Sequence, residues 1–307
     1  MKFAIIGAGG VGSIYGGNLA RIGHDVTMID TWPEHVAEMQ QNGLTVEGPQ
    51  NMFSVPVAAT LDPTEVAQQV DVALICVNSY DTQDAVLSAK IVLKESGYAA
   101  TLQNGLGNIE ILSAVLGANR VVGGIIFHSS AISGPGRVNH TIAGATHLGE
   151  LAASSSARLE TLADILTQAD MNPVIAENIM ATIWGKFVHN CGLNAICAIT
   201  DLRPGHLQEV PAMDEFQEMI IGEALALVAT KGITLPDPDP MTTIKEFCAS
   251  KFHLNSMAQH LLREQQTEID SLNGYVVQES TKLGLAAPYN DALTRLIKGR
   301  QYRPEVV

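Results

Sequence analysis

The sequence predicts an α/β protein in two parts: a doubly wound parallel sheet over residues 1–177, then an all-helical part over residues 178–307. Three observations carry that expectation. Through about residue 175, near-continuous apolar runs alternate with amphipathic stretches, the pattern of strands buried on both faces and joined by crossover helices. From Ile179 onward helical periodicity alone remains. A glycine-rich turn at residues 7–12 joins the first apolar run to the first helical pattern.

In order, Lys2 to Ile6 reads as a buried strand, Ser13 to Ile22 as a helix, and Val26 to Ile29 as a second strand closed by Asp30. This is a Rossmann-type unit. Gly7 permits the tight turn, Gly9 lets backbone approach a pyrophosphate, and Gly12 lets helix and strand pack closely. The backbone of Gly7, Gly9, Gly10, Val11 and Gly12 then forms an anion cradle at a helix N-terminus. Asp30 is placed to accept hydrogen bonds from an adenosine ribose and to repel a 2′-phosphate. Thr31, Trp32, Pro33 and Glu34 supply none of the basic residues of an NADP(H) site, so the expected cofactor is NAD(H).

Val70 to Val77, Ala99 to Leu102 and Arg120 to Phe127 continue the strands, and Asp81 to Leu93 and Ile109 to Leu116 the helices. After the Gly134-Pro135-Gly136 turn, Arg137 to Ile142 and Ala145 to Gly149 suggest a hairpin-like addition at the far sheet edge. Beyond the switch near Asn178, helices are expected at Met180 to Ala198, Pro211 to Lys231, Met241 to Ser250, Ser256 to Leu283 and Tyr289 to Gly299. The proline run from Pro236 to Pro240 is a rigid connection.

Composition narrows the function classes. With 46% hydrophobic residues the chain can bury a sizeable core, and 18 basic against 32 acidic residues give a net charge of -14. That field disfavours nucleic acid and anionic membrane as partners. The N-terminal residues lack a signal-peptide pattern and no apolar run approaches membrane-spanning length, so a cytoplasmic location is expected. Cys76, Cys191, Cys197 and Cys248 have neither paired zinc spacing nor CxxC, and read as reduced core thiols; no metal is expected. The nine histidines show no metalloprotease spacing and no GxSxG elbow occurs.

Chemistry concentrates on two helical stretches. Trp184, Phe187, Val188 and Cys191 form an apolar stripe, while Lys186, Asn190 and Asn194 line a neighbouring strip that drifts about 40° per step. An ammonium flanked by carboxamides suits a keto acid, although a polar helix face with one lysine also suits plain solvation. Glu268 is expected on a helix shoulder between an apolar ridge (Leu261, Ile269, Leu272, Val276) and a polar side with Ser256, His260 and Thr267. There it could bind a substrate hydroxyl or pair with Lys186, or stand as an exposed helix charge. Asn104, before Gly105, should lie at the carboxyl edge of the sheet, where such folds bind ligands. His189 and His260 are second-choice acids, more readily read with His128 as structural histidines.

The ordered motifs IGAGGVG, QNGLGN, WGKFVHNCGLNAICAI and NSMAQH followed by TEIDSLNGY resemble the ketopantoate reductase (2-dehydropantoate 2-reductase) family over essentially the whole chain. The resemblance implies a cytoplasmic enzyme of pantothenate biosynthesis type that forms a homodimer through its helical part and reduces ketopantoate or a similar 2-keto acid to the (R)-2-hydroxy acid. It implies a catalytic Lys186, a substrate-binding Glu268, a polar pocket of Asn190, Asn194 and Ser256, an active-site Asn104 near nicotinamide and substrate, and a cofactor and keto acid meeting between the two domains. Members that use NADP(H) tend to carry an Arg after the second strand and a Lys where this chain has Asn78; both absences agree with Asp30. Gln259-His260 and Gln265-Gln266 also depart from the family's usual QD and basic residue, leaving a dehydrogenase for another branched or aromatic 2-keto acid as the alternative. A non-catalytic NADH sensor would not need the polar residues of the helical part.

Overall fold

The computed structural model describes residues 1–48 and 51–302, and the chain divides into two compact units, Met1–Met180 and Ala181–Val307.

The first unit begins with strand β1 (Lys2–Ile6), helix α1 (Gly10–Arg21), β2 (Asp25–Ile29) and α2 (Pro33–Asn42). Strands β3 (Leu44–Glu47), β4 (Met52–Val55), β5 (Ala58–Thr60) and β6 (Val70–Ile75) follow, then α3 (Thr82–Val92), β7 (Leu93–Thr101), α4 (Asn108–Leu116) and β8 (Val121–Ile126). The unit closes with β9 (Ser129–Gly134), β10 (Arg137–Ile142), β11 (Thr146–Glu150), α5 (Ala157–Gln168) and β12 (Pro173–Ile175).

Eight strands form one sheet in the order β12-β11-β8-β7-β6-β1-β2-β5. From β5 to β8 all pairings are parallel, and the chain order reverses between β1 and β6. That reversal is the switch point of a doubly wound sheet, where crevices open beyond the strand carboxyl ends. Alternation in β1 sends Phe3 and Ile5 into one core and Ala4 and Ile6 into the other, so both sheet faces are covered.

The expected hairpin at the far sheet edge is corrected by the structure. β9 and β10 do pair antiparallel across the Gly134–Gly136 turn, but they join β3 and β4 in a separate sheet of order β4-β3-β10-β9. β11 then returns to the main sheet antiparallel to β8, carrying β12 at its edge. The reason lies in α1, whose small residues offer two faces to cover. A Cβ on Gly12 would overlap the Gly7 carbonyl oxygen and one on Gly16 the Met28 sulfur, on the main-sheet side. A Cβ on Gly10 would stand 2.8 Å from Ser130 Oγ and one on Gly17 2.6 Å from Val46 Cγ2, on the second sheet. The helix is therefore held between two sheets at backbone distance. Its Tyr15 is fully buried and its hydroxyl hydrogen-bonds Thr146.

The second unit is helical. It contains most of α6 (Ile179–Thr200), then α7 (Pro211–Thr230), α8 (Pro240–Ala249), α9 (Ser256–Leu262), α10 (Asn273–Lys282) and α11 (Pro288–Gln301). The apolar stripe of α6 is buried as expected: Trp184 and Phe187 meet Tyr275 of α10 edge-on, with centroids 6.1 and 5.7 Å away. The single long helix expected from Ser256 to Leu283 is absent, because α9 ends at Leu262 and Glu264 adopts a left-handed φ of 57°. Only a short 3-10 turn, Ile269–Ser271, precedes α10. All four cysteines are free, among the described residues no helix is long and apolar enough to cross a membrane, and none of their His, Cys, Asp or Glu side chains group as metal ligands.

Gly12→Ala places a methyl against the Gly7 carbonyl and should lower stability by about 1–3 kcal/mol or more, read as a lower denaturant midpoint. An unchanged midpoint would contradict the close helix–strand contact.

Candidate active site

In the first unit the glycine turn, Asp30, Asn78 and Asn104 all follow strands β1, β2, β6 and β7 at the same edge of the parallel sheet. Gly7 takes φ +90°, which an L side chain resists, and its N–H donates to Ile29 O at 2.9 Å, joining the turn to the end of β2. The first helical bond of α1 runs from Ser13 N–H to Gly9 O, and no side chain caps the helix. The amides of Gly10, Val11 and Gly12 thus lack intrahelical acceptors, and a Cβ on Gly9 would meet nothing within 4 Å. An open glycine before uncapped amides fits a pyrophosphate, with both the donors and the helix dipole favouring an anion.

Asp30 does more than await a ribose. Its Oδ2 accepts from Ala8 N–H at 2.6 Å and its Oδ1 from Trp32 N–H at 2.9 Å, so the carboxylate anchors the glycine turn. The Ala8 carbonyl in turn accepts from Ser13 Oγ at 2.6 Å and pairs with His35 Nε2 at 2.9 Å. Gly136 N–H donates to His35 Nδ1 at 2.9 Å, which places the ring hydrogen on Nε2. Ala8, at the centre of the turn, is clamped at both its N–H and its carbonyl. Ser13 and His35 escape a reading of the sequence, since a buried serine and histidine acquire these partners only through the fold.

Asn78 donates from Nδ2 to the Tyr80 hydroxyl at 2.8 Å. Three residues on, Asp81 has its carboxyl pushed upward by burial and by the charges of Asp84 and Asp30, so two acids from different loops share one field. The Asn104 carbonyl accepts from Ser79 Oγ at 2.7 Å and Asn108 Nδ2 at 2.9 Å. Gln103 links the same loops by donating to Val77 O at 3.0 Å and Thr82 Oγ1 at 2.8 Å. Ser79, Gln103 and Asn108 therefore hold the backbone of Asn104 beside the loop that bears Asn78.

In the second unit, α6 carries Lys186, Asn190 and Asn194 one turn apart, and both asparagines are buried, at 8% and 5% exposure. Burial drives the Lys186 ammonium down to about 8, while the negative charge of Glu268 opposes that shift. With both asparagines buried, this strip is not a plain solvated face. His189 is pushed down to about 4 by burial, with an Asn190 hydrogen bond opposing and the Lys186 charge reinforcing; it is a poor proton donor at neutral pH. His260 is lowered in the same direction by burial and by Arg263.

Glu268 sits in the loop between α9 and α10 and is 8% exposed, so its carboxylate is buried although its predicted helix shoulder does not exist. Flanking polar residues fix that loop. Thr267 donates to Gln301 Oε1 from its N–H at 3.1 Å and its hydroxyl at 2.9 Å. The fully buried Asn273 donates to Cys191 O at 3.1 Å and Asn290 Oδ1 at 2.9 Å, tying the start of α10 to α6 and α11. Ser256 is the exposed first residue of α9, and its neighbour Asn255 both caps that helix and donates to Asn194 O at 3.2 Å. Asn255 had a visible signal, an Asn at the N-cap position, and Asn273 belongs to the TEIDSLNGY motif; Gln301 had none outside the tertiary structure.

Two family models cover the chain: Ketopantoate reductase PanE/ApbA matches residues 3–153, and its C-terminal counterpart residues 178–301. The chain belongs to the ketopantoate reductase family. Among its relatives, the 2-dehydropantoate 2-reductase of Pyrococcus abyssi is 30% identical over 98% of both chains. The crystal structure of a PanE/ApbA family ketopantoate reductase from Ralstonia eutropha is 34% identical with a TM-score of 0.91, covering 98% of each chain. The ternary structure of a D-mandelate dehydrogenase with NADH and anilino(oxo)acetate is 27% identical with a TM-score of 0.90, again over 98% of each chain. Membership makes the chain an oxidoreductase with a nicotinamide cofactor.

Gln301→Ala removes the acceptor of two Thr267 bonds and should cost about 1–3 kcal/mol, because the Thr267 N–H is left buried. Denaturant unfolding of the variant measures it, and a wild-type midpoint would show that Gln301 does not hold the Glu268 loop.

Proposed function

We propose that the chain reduces a 2-keto acid to its (R)-2-hydroxy acid with NADH as preferred reductant. The observation that carries this reading is the half-buried Lys186 on a helix with two buried carboxamides, in the field of the buried Glu268 carboxylate. When bound, the reduced nicotinamide supplies hydride to the carbonyl carbon. Lys186 donates its proton to the carbonyl oxygen as negative charge develops there, and an acid near working pH does so more readily than an ordinary lysine. Glu268 accepts a hydrogen bond from a substrate hydroxyl and favours the charged form of Lys186. Asn190, Asn194 and Ser256 bind the remaining substrate oxygens.

The amides of Gly10 to Gly12 and the open Gly9 would receive the pyrophosphate, with Asn104 assigned to the nicotinamide end. Asp30, Asn78 and Asp81 support NADH over NADPH: a 2′-phosphate beside Asp30 would meet carboxylates, and residues 31–34 and 78 supply no cation for it. Ketopantoate is the substrate named for the family, whereas the similarity to a D-mandelate dehydrogenase supports an aromatic 2-keto acid as the second reading.

Turnover of ketopantoate, phenylglyoxylate and branched 2-keto acids with each cofactor tests the proposal. NADH should give the higher kcat/KM, and absence of oxidation of either cofactor would overturn it. Lys186→Ala should lower kcat by about 10²-fold or more with cofactor affinity largely retained; a near-normal rate would remove Lys186 from the acid role. The reductive kcat/KM should fall as pH rises through about 8, since the ammonium is the donor form. Glu268→Gln should move that limb to lower pH because it removes the charge that holds the proton on Lys186; an unmoved limb would contradict the coupling.

A further inference from the structure

Trp32 is an exposed aromatic beside the ribose-binding candidate Asp30, and the role of its ring follows from how it is held. Its N–H donates to Asp30 Oδ1 at 2.9 Å, and its carbonyl accepts the Val36 N–H at 3.1 Å in the first turn of α2. Pro33 restricts its backbone to the extended conformation observed, φ -92° and ψ 103°. The indole lies nearly parallel to the His35 ring, with centroids 5.1 Å and planes 11° apart. His35 is only 1% exposed and is fixed by Gly136 N–H and the Ala8 carbonyl, whereas Trp32 keeps 39% exposure. The indole is thus stacked on a locked imidazole and still open to solvent.

We propose that Trp32 is an adenine platform, presenting its indole to the purine of an adenosine whose ribose is bound by Asp30, with His35 as the positioning residue beneath it. The pieces are linked through one residue, Ala8: Asp30 holds its N–H, His35 holds its carbonyl, and both also hold Trp32, by its amide and its ring. The glycine cradle and the platform therefore form a single preorganised surface for the adenosine diphosphate half of the cofactor. Base stacking on an aromatic side chain tolerates the absence of any base-specific hydrogen bond. The assignment rests on the reading that the dinucleotide is NAD(H), and it adds the residue that recognises its base.

Titration with ADP-ribose, which contains the adenosine half without nicotinamide, tests the platform directly. The chain has two tryptophans, so in a Trp184→Phe background Trp32 is the sole indole emitter, and ADP-ribose should quench it. In the wild-type background Trp32→Ala should weaken ADP-ribose binding about ten-fold or more by calorimetry, and Trp32→Phe, which keeps a ring, should retain most of the affinity. Unquenched Trp32 emission at saturating ADP-ribose, or unchanged affinity in Trp32→Ala, overturns the platform. The 2′-phosphate of ADP-ribose separates the two readings: if it binds more tightly than ADP-ribose but with the same dependence on Trp32, NADH preference falls and the platform stands.

Discussion

The close packing of α1 is the constraint on which the first unit depends. A helix can approach a strand to backbone distance only where it carries no side chain, and this one does so on both flanks: Gly12 and Gly16 toward β1 and β2, Gly10 and Gly17 toward the second sheet. That approach aims the uncapped amides of Gly10 to Gly12 at the strand carboxyl ends, beside the reversal between β1 and β6. It also brings β9 and β10 over the helix, so that Gly136 N–H reaches His35 and fixes its tautomer. The geometry of the glycine turn and the position of His35 both follow from that packing. Asp30 completes it by serving structure first, through Ala8 and Trp32, while each oxygen keeps a second lone pair.

The second unit solves a different problem, that of keeping a charge buried. Burial disfavours the Lys186 ammonium, and Glu268 offsets part of that penalty. The carboxylate arrives from a loop, where helical geometry cannot position it. Buried polar contacts do so instead: Thr267 to Gln301 on one side, Asn273 to Cys191 and Asn290 on the other. Burial lowers the affinity of Lys186 for its proton below that of an ordinary lysine, and the neighbouring Asn190 and Asn194 are already desolvated.

Local features were legible in the sequence and non-local ones were not. The strand, glycine turn, helix and second strand from Lys2 to Asp30 lie within one unit and were readable in order, as were α6 and its apolar stripe. The partners of the Arg137–Ile142 strand were hidden, because pairing Arg137 with Thr45 joins distant segments that carry no shared pattern. Glu268 was found for an incomplete reason. Its apolar neighbours Ile269, Leu272 and Val276 are buried, yet no single helix orders them, Ile269 lying in a 3-10 turn and Val276 in α10; the TEIDSLNGY motif, and not a helix shoulder, is what marked the residue. His35 and Gln301 were invisible because their roles consist entirely of partners supplied by other elements.

The proposed reduction depends on the proton at Lys186 Nζ. Its titration by heteronuclear NMR, with Lys186 assigned by comparison with Lys186→Ala, measures that proton without turnover. A midpoint near 8 is expected, reached from the ordinary lysine value of 10.5 through burial opposed by Glu268. A midpoint at the ordinary value would mean a solvated lysine and would contradict the acid on which the proposed reduction rests.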